Sequence, residues 1–310
     1  INDNKIMEVR MKKLLLLSFF LGIYGSSYAL EKLDITTGTY IESENHNATY
    51  NSSDVTVHGF RVNLNAKDFP LWTEFVYEYR NADSPSGHVN DADRYKFMLG
   101  SGFNYGSFVF KPEYELRITD LRKSPQKVTD NRFKPNWGYK FNDQWSLFNG
   151  WLFGYRMTDD YRGHLETKSW DDYFHELETG VKYQFTDDQA VAFSVYNEYV
   201  KAEKSDLEYR AYKFEDWQIR VAYEKKFDNG VSVTPFIRYS VTSTSKYSDG
   251  IDGDHDGKGR YGVKMGYTAD NGISVSGETY YQDEPQKRSE GQDKANKNRV
   301  FFKLGLDYKF

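Results

Sequence analysis

Residues 299–310 read RVFFKLGLDYKF. Counting back from Phe310, every second residue is apolar or aromatic: Tyr308, Leu306, Leu304 and Phe302. Between them stand Lys309, Asp307, Gly305, Lys303 and Phe301. A period of two puts successive side chains on opposite faces of a strand, so this strand has an apolar row and a largely charged row. In a water-soluble sheet the apolar row would cover a core. The composition argues against an ordinary core, because charged residues make up 28% of the chain while Tyr and Phe number 26 and 22. Disordered chains are polar but poor in aromatics. The rings therefore belong to a rigid architecture with much of its surface polar.

The N-terminal segment has the pattern expected of an export signal. From Met11 it runs MKKLLLLSFFLGIYGSSYA. Lys12 and Lys13 form a basic start, residues 14–24 an apolar run, and Ser27-Tyr28-Ala29 a small-x-small cleavage pattern. Together they predict a secretory signal peptide over 11–29. The run is short for a membrane-spanning helix, and no other apolar stretch approaches the required length. Residues 1–10 read as upstream sequence, which leaves 30–310 as a single domain. With no Cys, the exported chain forms no disulfides. A net charge of −5 gives no nucleic-acid footprint.

Short turns punctuate the rest: FNDQW at 141–145, FTDDQ at 185–189, FDNGV at 227–231 and ADNGI at 269–273. Two contain Asn-Gly, a strong hairpin signal, and longer polar stretches lie between them. The pattern predicts about 14 strands, near 32–43, 54–65, 70–81, 93–103, 107–118, 130–141, 145–157, 172–185, 189–202, 213–226, 231–242, 259–269, 272–284 and 298–310. Alternation assigns faces. Val231, Val233, Pro235, Ile237, Tyr239 and Val241 form one row; Ser232, Thr234, Phe236, Arg238 and Ser240 form the other. A row of charges cannot face a dry core, because buried unpaired charges cost several kcal/mol each. It can face water inside a pore while the apolar row meets lipid. A spanning sheet must also close, since an open edge goes unsatisfied in hydrocarbon. The expected fold is therefore all-β, a transmembrane antiparallel β-barrel of about 14 strands with short periplasmic turns and long extracellular loops. A soluble sandwich or solenoid with one wet face is the competing architecture.

The row ending in Phe310 resembles the C-terminal signature of Gram-negative outer-membrane proteins, which implies recognition by the barrel-assembly machinery. A broader resemblance covers nearly all of 30–310. The segments FNDQWSLFNGWLFGYRM (141–157), ELETGVKYQFTDDQAVAFSVYNEYV (176–200), NGVSVTPFIRYS (229–240) and NGISVSGETYYQDE (271–284) are similar to the monomeric outer-membrane porin G family. The resemblance implies a monomer in the outer membrane, in contact with lipid and lipopolysaccharide. It also implies passive, weakly selective passage of small polar solutes, from ions and monosaccharides to oligosaccharides, with no cofactor, no metal and no catalysis. The alternative is a specific channel of the oligogalacturonate or sialate type, which should have a predominantly basic lumen. A barrel enzyme or adhesin is the remote alternative; His164, Ser169, Asp171, Asp172 and His175 are the residues an enzyme would use.

Alternation places a set of charges toward the lumen. From the first third of the chain come Arg61, Glu74, Glu78, Arg80, Arg94 and Lys96. The middle supplies Lys111, Glu113, Glu115, Arg117, Arg132, Arg156, Glu176, Glu178 and Lys182. Glu198, Arg220, Glu224, Arg238, Arg260, Lys264 and Glu278 complete it. Mixed signs predict weak ion preference. Inward rings such as Tyr196, Phe236 and Tyr280 would offer sugars flat faces. The acidic stretch around residue 252 begins like a calcium loop but has Val263 where the closing Glu should be. In the family resembled, two lumen histidines repel in acid and free the long sixth loop. Here His255 matches the first loosely and Val300 falls at the second. The loop, near 243–259, is expected to lack that gate, leaving Asp249, Asp252, Asp254, His255 and Asp256 as its candidate gating groups.

Overall fold

A computed structural model describes residues 32–46, 54–83, 91–122, 126–160, 168–202, 211–247, 252–254, 257–285, 287–288 and 297–310. The expected signal peptide lies outside the described residues, as do His164, Asp249, His255 and Asp256. Strands account for nearly all of what is described, and no helix is long and apolar enough to cross a membrane.

Fourteen long strands form one antiparallel ring. They are β1 (Leu33–His46), β2 (Asp54–Ala66), β3 (Leu71–Asp83), β4 (Ala92–Ser101), β6 (Phe108–Leu121), β7 (Gln126–Lys140), β8 (Trp145–Asp160) and β9 (Lys168–Thr186), then β10 (Gln189–Ala202), β11 (Ala211–Lys226), β12 (Val231–Tyr247), β14 (Gly259–Thr268), β15 (Ile273–Glu284) and β17 (Lys297–Lys309). Three short pieces supplement them: β5 (Phe103–Tyr105) continues β4 past Gly102, while β13 (Asp252–Asp254) and β16 (Lys287–Arg288) pair with each other. Each long strand pairs with the next, and β17 returns to β1 from Thr36↔Lys309 to His46↔Arg299. Closure leaves no edge, the condition for a sheet in hydrocarbon. The long strands run from 10 to 19 residues, enough to cross a bilayer when tilted.

One rim carries the short turns. Both Asn-Gly turns use three residues, closed by Phe227 N–H to Val231 O at 2.8 Å and Ala269 N–H to Ile273 O at 2.8 Å. The third residue sits at positive φ, 80° for Gly230 and 85° for Gly272. A Cβ there would also meet a neighbouring carbonyl, Thr268 O at 2.5 Å or Lys309 O at 2.6 Å, so glycine is required twice over.

At the other rim the strands outrun the expected limits. β12 continues to Tyr247 rather than ending near 242, and β13 pairs with it from Thr244↔Asp254 to Lys246↔Asp252. The sixth connection is thus partly a strand extension. Trp217 pairs with Thr242 and Gln218 with Ser240, so Val241 is an extra residue, a β-bulge. The bulge flips the alternation, which explains why Ser243 and Ser245 are buried while Val241 is exposed.

Candidate functional site: the inner wall of the barrel

In a closed sheet, inward side chains converge and outward ones diverge. Burial follows this rule. In β17, Val300, Phe302, Leu304, Leu306 and Tyr308 are all exposed, and Phe310 is the most exposed at 71%. In β12 the exposed row includes Ile237, Tyr239 and Val241. Aromatics gather at the turn rim, where Phe69, Tyr105, Phe141, Phe185 and Phe227 stand open. A second group, including Tyr79, Tyr173, Tyr261 and Tyr281, lies toward the far rim. An apolar band between two aromatic girdles is the surface of a lipid-embedded barrel.

One polar side chain on the outer row has a structural reason. Pro135 interrupts the β7–β8 ladder between Phe133↔Phe153 and Gly138↔Phe148. Asn149 spans the gap: its Oδ1 accepts from the Trp137 backbone N–H at 2.5 Å. The side chain gives the Trp137 N–H the acceptor that the interrupted ladder does not supply.

All the charges expected at the lumen fall on the inward row, where most are paired. Glu78, 2% exposed, accepts from the Tyr40 hydroxyl at 2.6 Å and from Lys96, with Arg94 Nη1 at 3.3 Å and Arg80 Nη1 at 3.9 Å. Glu115 takes Arg117 Nη2 at 2.7 Å and Lys134 Nζ at 2.8 Å, and Lys134 also reaches Glu113 at 2.5 Å. Asp130 takes Arg156 Nε at 2.6 Å, with Arg132 at 3.7 Å. Glu178 takes Arg220 Nη1 at 2.7 Å, and Lys182 pairs with Glu224 at 2.6 Å. Glu74 accepts from Asn63 at 3.3 Å. Glu176 and Glu198 share the Tyr196 hydroxyl, at 3.1 and 3.5 Å.

Several members of this wall were not singled out from the sequence. Asp307 takes the expected Arg61 over the intervening β1, with Nε to Oδ1 at 2.7 Å. Gly38 makes room, since a Cβ there would lie 1.8 Å from Asp307 Oδ1. Lys303 pairs with Glu42 at 2.6 Å and Arg299 with Glu44 at 2.8 Å. Lys258 reaches Asp216, which is fully buried, at 2.7 Å. The period-two rule carried to the ends of β1, β11 and β17 finds these residues, but not which partner each takes, whether on the adjacent strand, as for Lys303 and Arg299, or two strands away, as for Arg61 and Lys258.

Two expectations need correction. Tyr196, Phe236 and Tyr280 do face inward, but their rings are not open to sugars. Arg220 lies 3.4 Å over Tyr196, Arg238 5.0 Å over Phe236 and Arg260 4.3 Å over Tyr280, whose ring also stacks on Phe301 at 4.7 Å. Val300 is on the outer row, 49% exposed, so it cannot stand where a lumen histidine would; its inward neighbours are Arg299 and Phe301. The residues of the remote enzyme alternative do not converge. His175 is on the outer row, with Nε2 2.8 Å from Asn197 Oδ1, whereas Asp172 is inward beside Arg156 and Ser169 bonds Asp159. Asp252 and Asp254 fall in β13, and no group of three metal-ligating residues occurs among the described residues.

A closed sheet with an apolar, girdled exterior and a charged interior is a β-barrel channel of the Gram-negative outer membrane. The family model for outer membrane protein G (OmpG) matches residues 31–310. The chain is 30% identical over 223 residues to outer membrane porin G of Escherichia coli (strain K12), covering 70% of this chain and 68% of that one. It therefore belongs to the OmpG porin family, whose members are channels and not enzymes. Among solved structures, the toluene transporter TodX of Pseudomonas putida gives a TM-score of 0.54 at 9% identity, covering 92% of this chain and 91% of that one. The CymD monoaromatic hydrocarbon channel gives 0.51 at 9% identity, covering 90% and 88%. At that identity they share the barrel fold alone.

Proposed function

We propose that this porin is a monomeric, weakly selective diffusion pore for small polar solutes, from ions and monosaccharides to short oligosaccharides. The observation that carries this reading is the pairing of opposite charges over much of the inner wall. The centres at Glu78, Glu115 and Asp130 each bind cations from their own or neighbouring strands. Neutralised pairs do not make a single-sign ring, and such rings are what set strong ion preference. Solutes cross down their gradients with no bond broken. The domain reading belongs to the same proposal: residues 11–29 export the chain, 30–310 form the barrel, and the strand ending in Phe310 is read by the assembly machinery.

Reconstitution into liposomes tests the pore. Swelling rates should fall smoothly with sugar size, with little dependence on stereochemistry. Uptake confined to one sugar class would contradict the proposal. Light scattering in detergent should give one chain per particle; a trimer that survives dilution would contradict the monomer.

A further inference from the structure

One stretch of the inner wall departs from this pairing. Arg220 stands directly opposite Arg238, and Arg238 directly opposite Arg260. Arg260 faces Gln282, which faces Arg299. Five adjacent strands, β11, β12, β14, β15 and β17, thus carry four arginines and a neutral amide in one hydrogen-bonding row. Like charges directly opposite each other are destabilising. The bridging side chain does not relieve this: Gln282 Oε1 accepts from Arg260 Nη2 at 2.7 Å and Arg299 Nη2 at 2.9 Å, as a neutral carbonyl. Carboxylates flank the row, with Glu178 on Arg220, Glu44 on Arg299, and Glu278 opposite Lys264. Among the described residues, neither Arg238 nor Lys264 has a hydrogen bond or ion pair; both lie over Phe236, at 5.0 and 5.8 Å.

We propose that the Arg220–Arg238–Arg260 row, with Lys264 toward the turn rim, is a binding subsite for the carboxylate or phosphate of an anionic sugar. A recess of about 200 Å³ opens beside the row, bounded by Arg220 with its partner Glu178, by Arg238 and Lys264, and by Ser194, Thr234 and Phe236, while Arg260 stands outside its lining. Guanidinium forks match both anionic groups in bidentate geometry. The Phe236 ring lies beneath both Arg238 and Lys264, the two cations of the group that have no carboxylate partner among the described residues. Ser194 and Thr234 border the recess with hydroxyls suited to a sugar. The ligand supplies the counter-charge that Arg238 and Lys264 lack, which offsets the repulsion within the row. This site rests on the channel reading and adds one local preference to an otherwise balanced lumen.

Single channels of the full protein in planar bilayers test it. Ion conductance without sugar establishes the channel independently, and its absence would overturn the channel reading itself. Digalacturonate, glucose 6-phosphate and neutral maltose are then added in turn. At least one anionic sugar should interrupt the current at a concentration about tenfold below that of maltose, and the one that does identifies the anionic group. Arg238→Gln should abolish the difference and also raise the thermal unfolding midpoint, because it removes a like charge from between two others. A structural arginine would lower that midpoint. Gln282→Glu, which places a carboxylate between Arg260 and Arg299, should likewise abolish the difference. Arg156→Gln, on β8, should retain it. Equal block by all three solutes, or a preference that survives both row substitutions, would overturn the proposal.

Discussion

The two faces of β12 use one backbone for two solvents. Outward, Val231, Val233, Pro235, Ile237 and Tyr239 have few polar atoms to satisfy. Inward, Thr234, Arg238 and Ser240 belong to a wall of charges and hydroxyls. The difference lies in what each face tolerates. A lipid-facing position punishes charge because no partner or water is at hand. The inner face accepts charge freely, but where charges are packed together it depends on their mutual pairing. The two faces should therefore fail in opposite ways.

The largest effect expected is on the outer face. Val233→Arg near the bilayer midplane should destabilise the barrel by about 2–4 kcal/mol, whereas Thr234→Glu, opposite Lys264 on the inner wall, should be tolerated. Urea titration of folding into lipid vesicles measures both. A reversal of severity would shift the register of β12 by one residue. Next comes the inner face, where removing a charge should do the damage. Glu78→Gln leaves Arg94 and Lys96 crowded without their carboxylate and should cost about 1–3 kcal/mol. An unchanged folding midpoint would show that water in the lumen satisfies these cations instead.

Asn149→Leu sharpens the comparison, because it makes the outer face more apolar and should still destabilise. The Trp137 N–H, 2.5 Å from Asn149 Oδ1, would lose its acceptor at a cost of about 1 kcal/mol. A neutral or stabilising result would mean that Pro135 leaves no unmet donor. The smallest effect belongs to the turn rim, outside both faces. The Lys225 ammonium bonded to Asp188, helped by the Thr186 hydroxyl, holds this exposed carboxyl below its usual range. A depressed carboxyl stabilises above its unfolded pKa, near about 4, and loses that contribution as pH falls through the folded value. Asp188→Asn should therefore be slightly less stable than the parent at pH 6, and the two should converge near pH 3. A difference that grows in acid would reverse the sign of this linkage.

The faces were legible from sequence because period-two alternation is local and hydrophobic contrast marks it in almost every strand. It fails where contrast disappears. Thr242 to Lys246 read TSTSK, all polar, so the bulge at Val241 leaves no trace and the strand's continuation to Tyr247 looks like loop. Partner choice was not legible either. Arg61 meets Asp307 only because β17 closes on β1 and Gly38 leaves room between them. The arginine row is similarly hidden: the residues can be read off one by one, but their direct opposition depends on registers set by the turns. The exposed rings of Tyr196, Phe236 and Tyr280 were expected from facing alone, and neighbouring guanidiniums cover them.

The central claim is that alternate residues of one strand meet water and lipid, and the chain's lack of Cys makes this measurable. Single cysteines at Ser232, Val233, Thr234 and Ile237 would be challenged with a charged, membrane-impermeant thiol reagent during bilayer recording. Ser232→Cys and Thr234→Cys should each give one stepwise drop in current, whereas Val233→Cys and Ile237→Cys should give none. Steps at all four positions, or only at the two lipid-facing ones, would contradict the account.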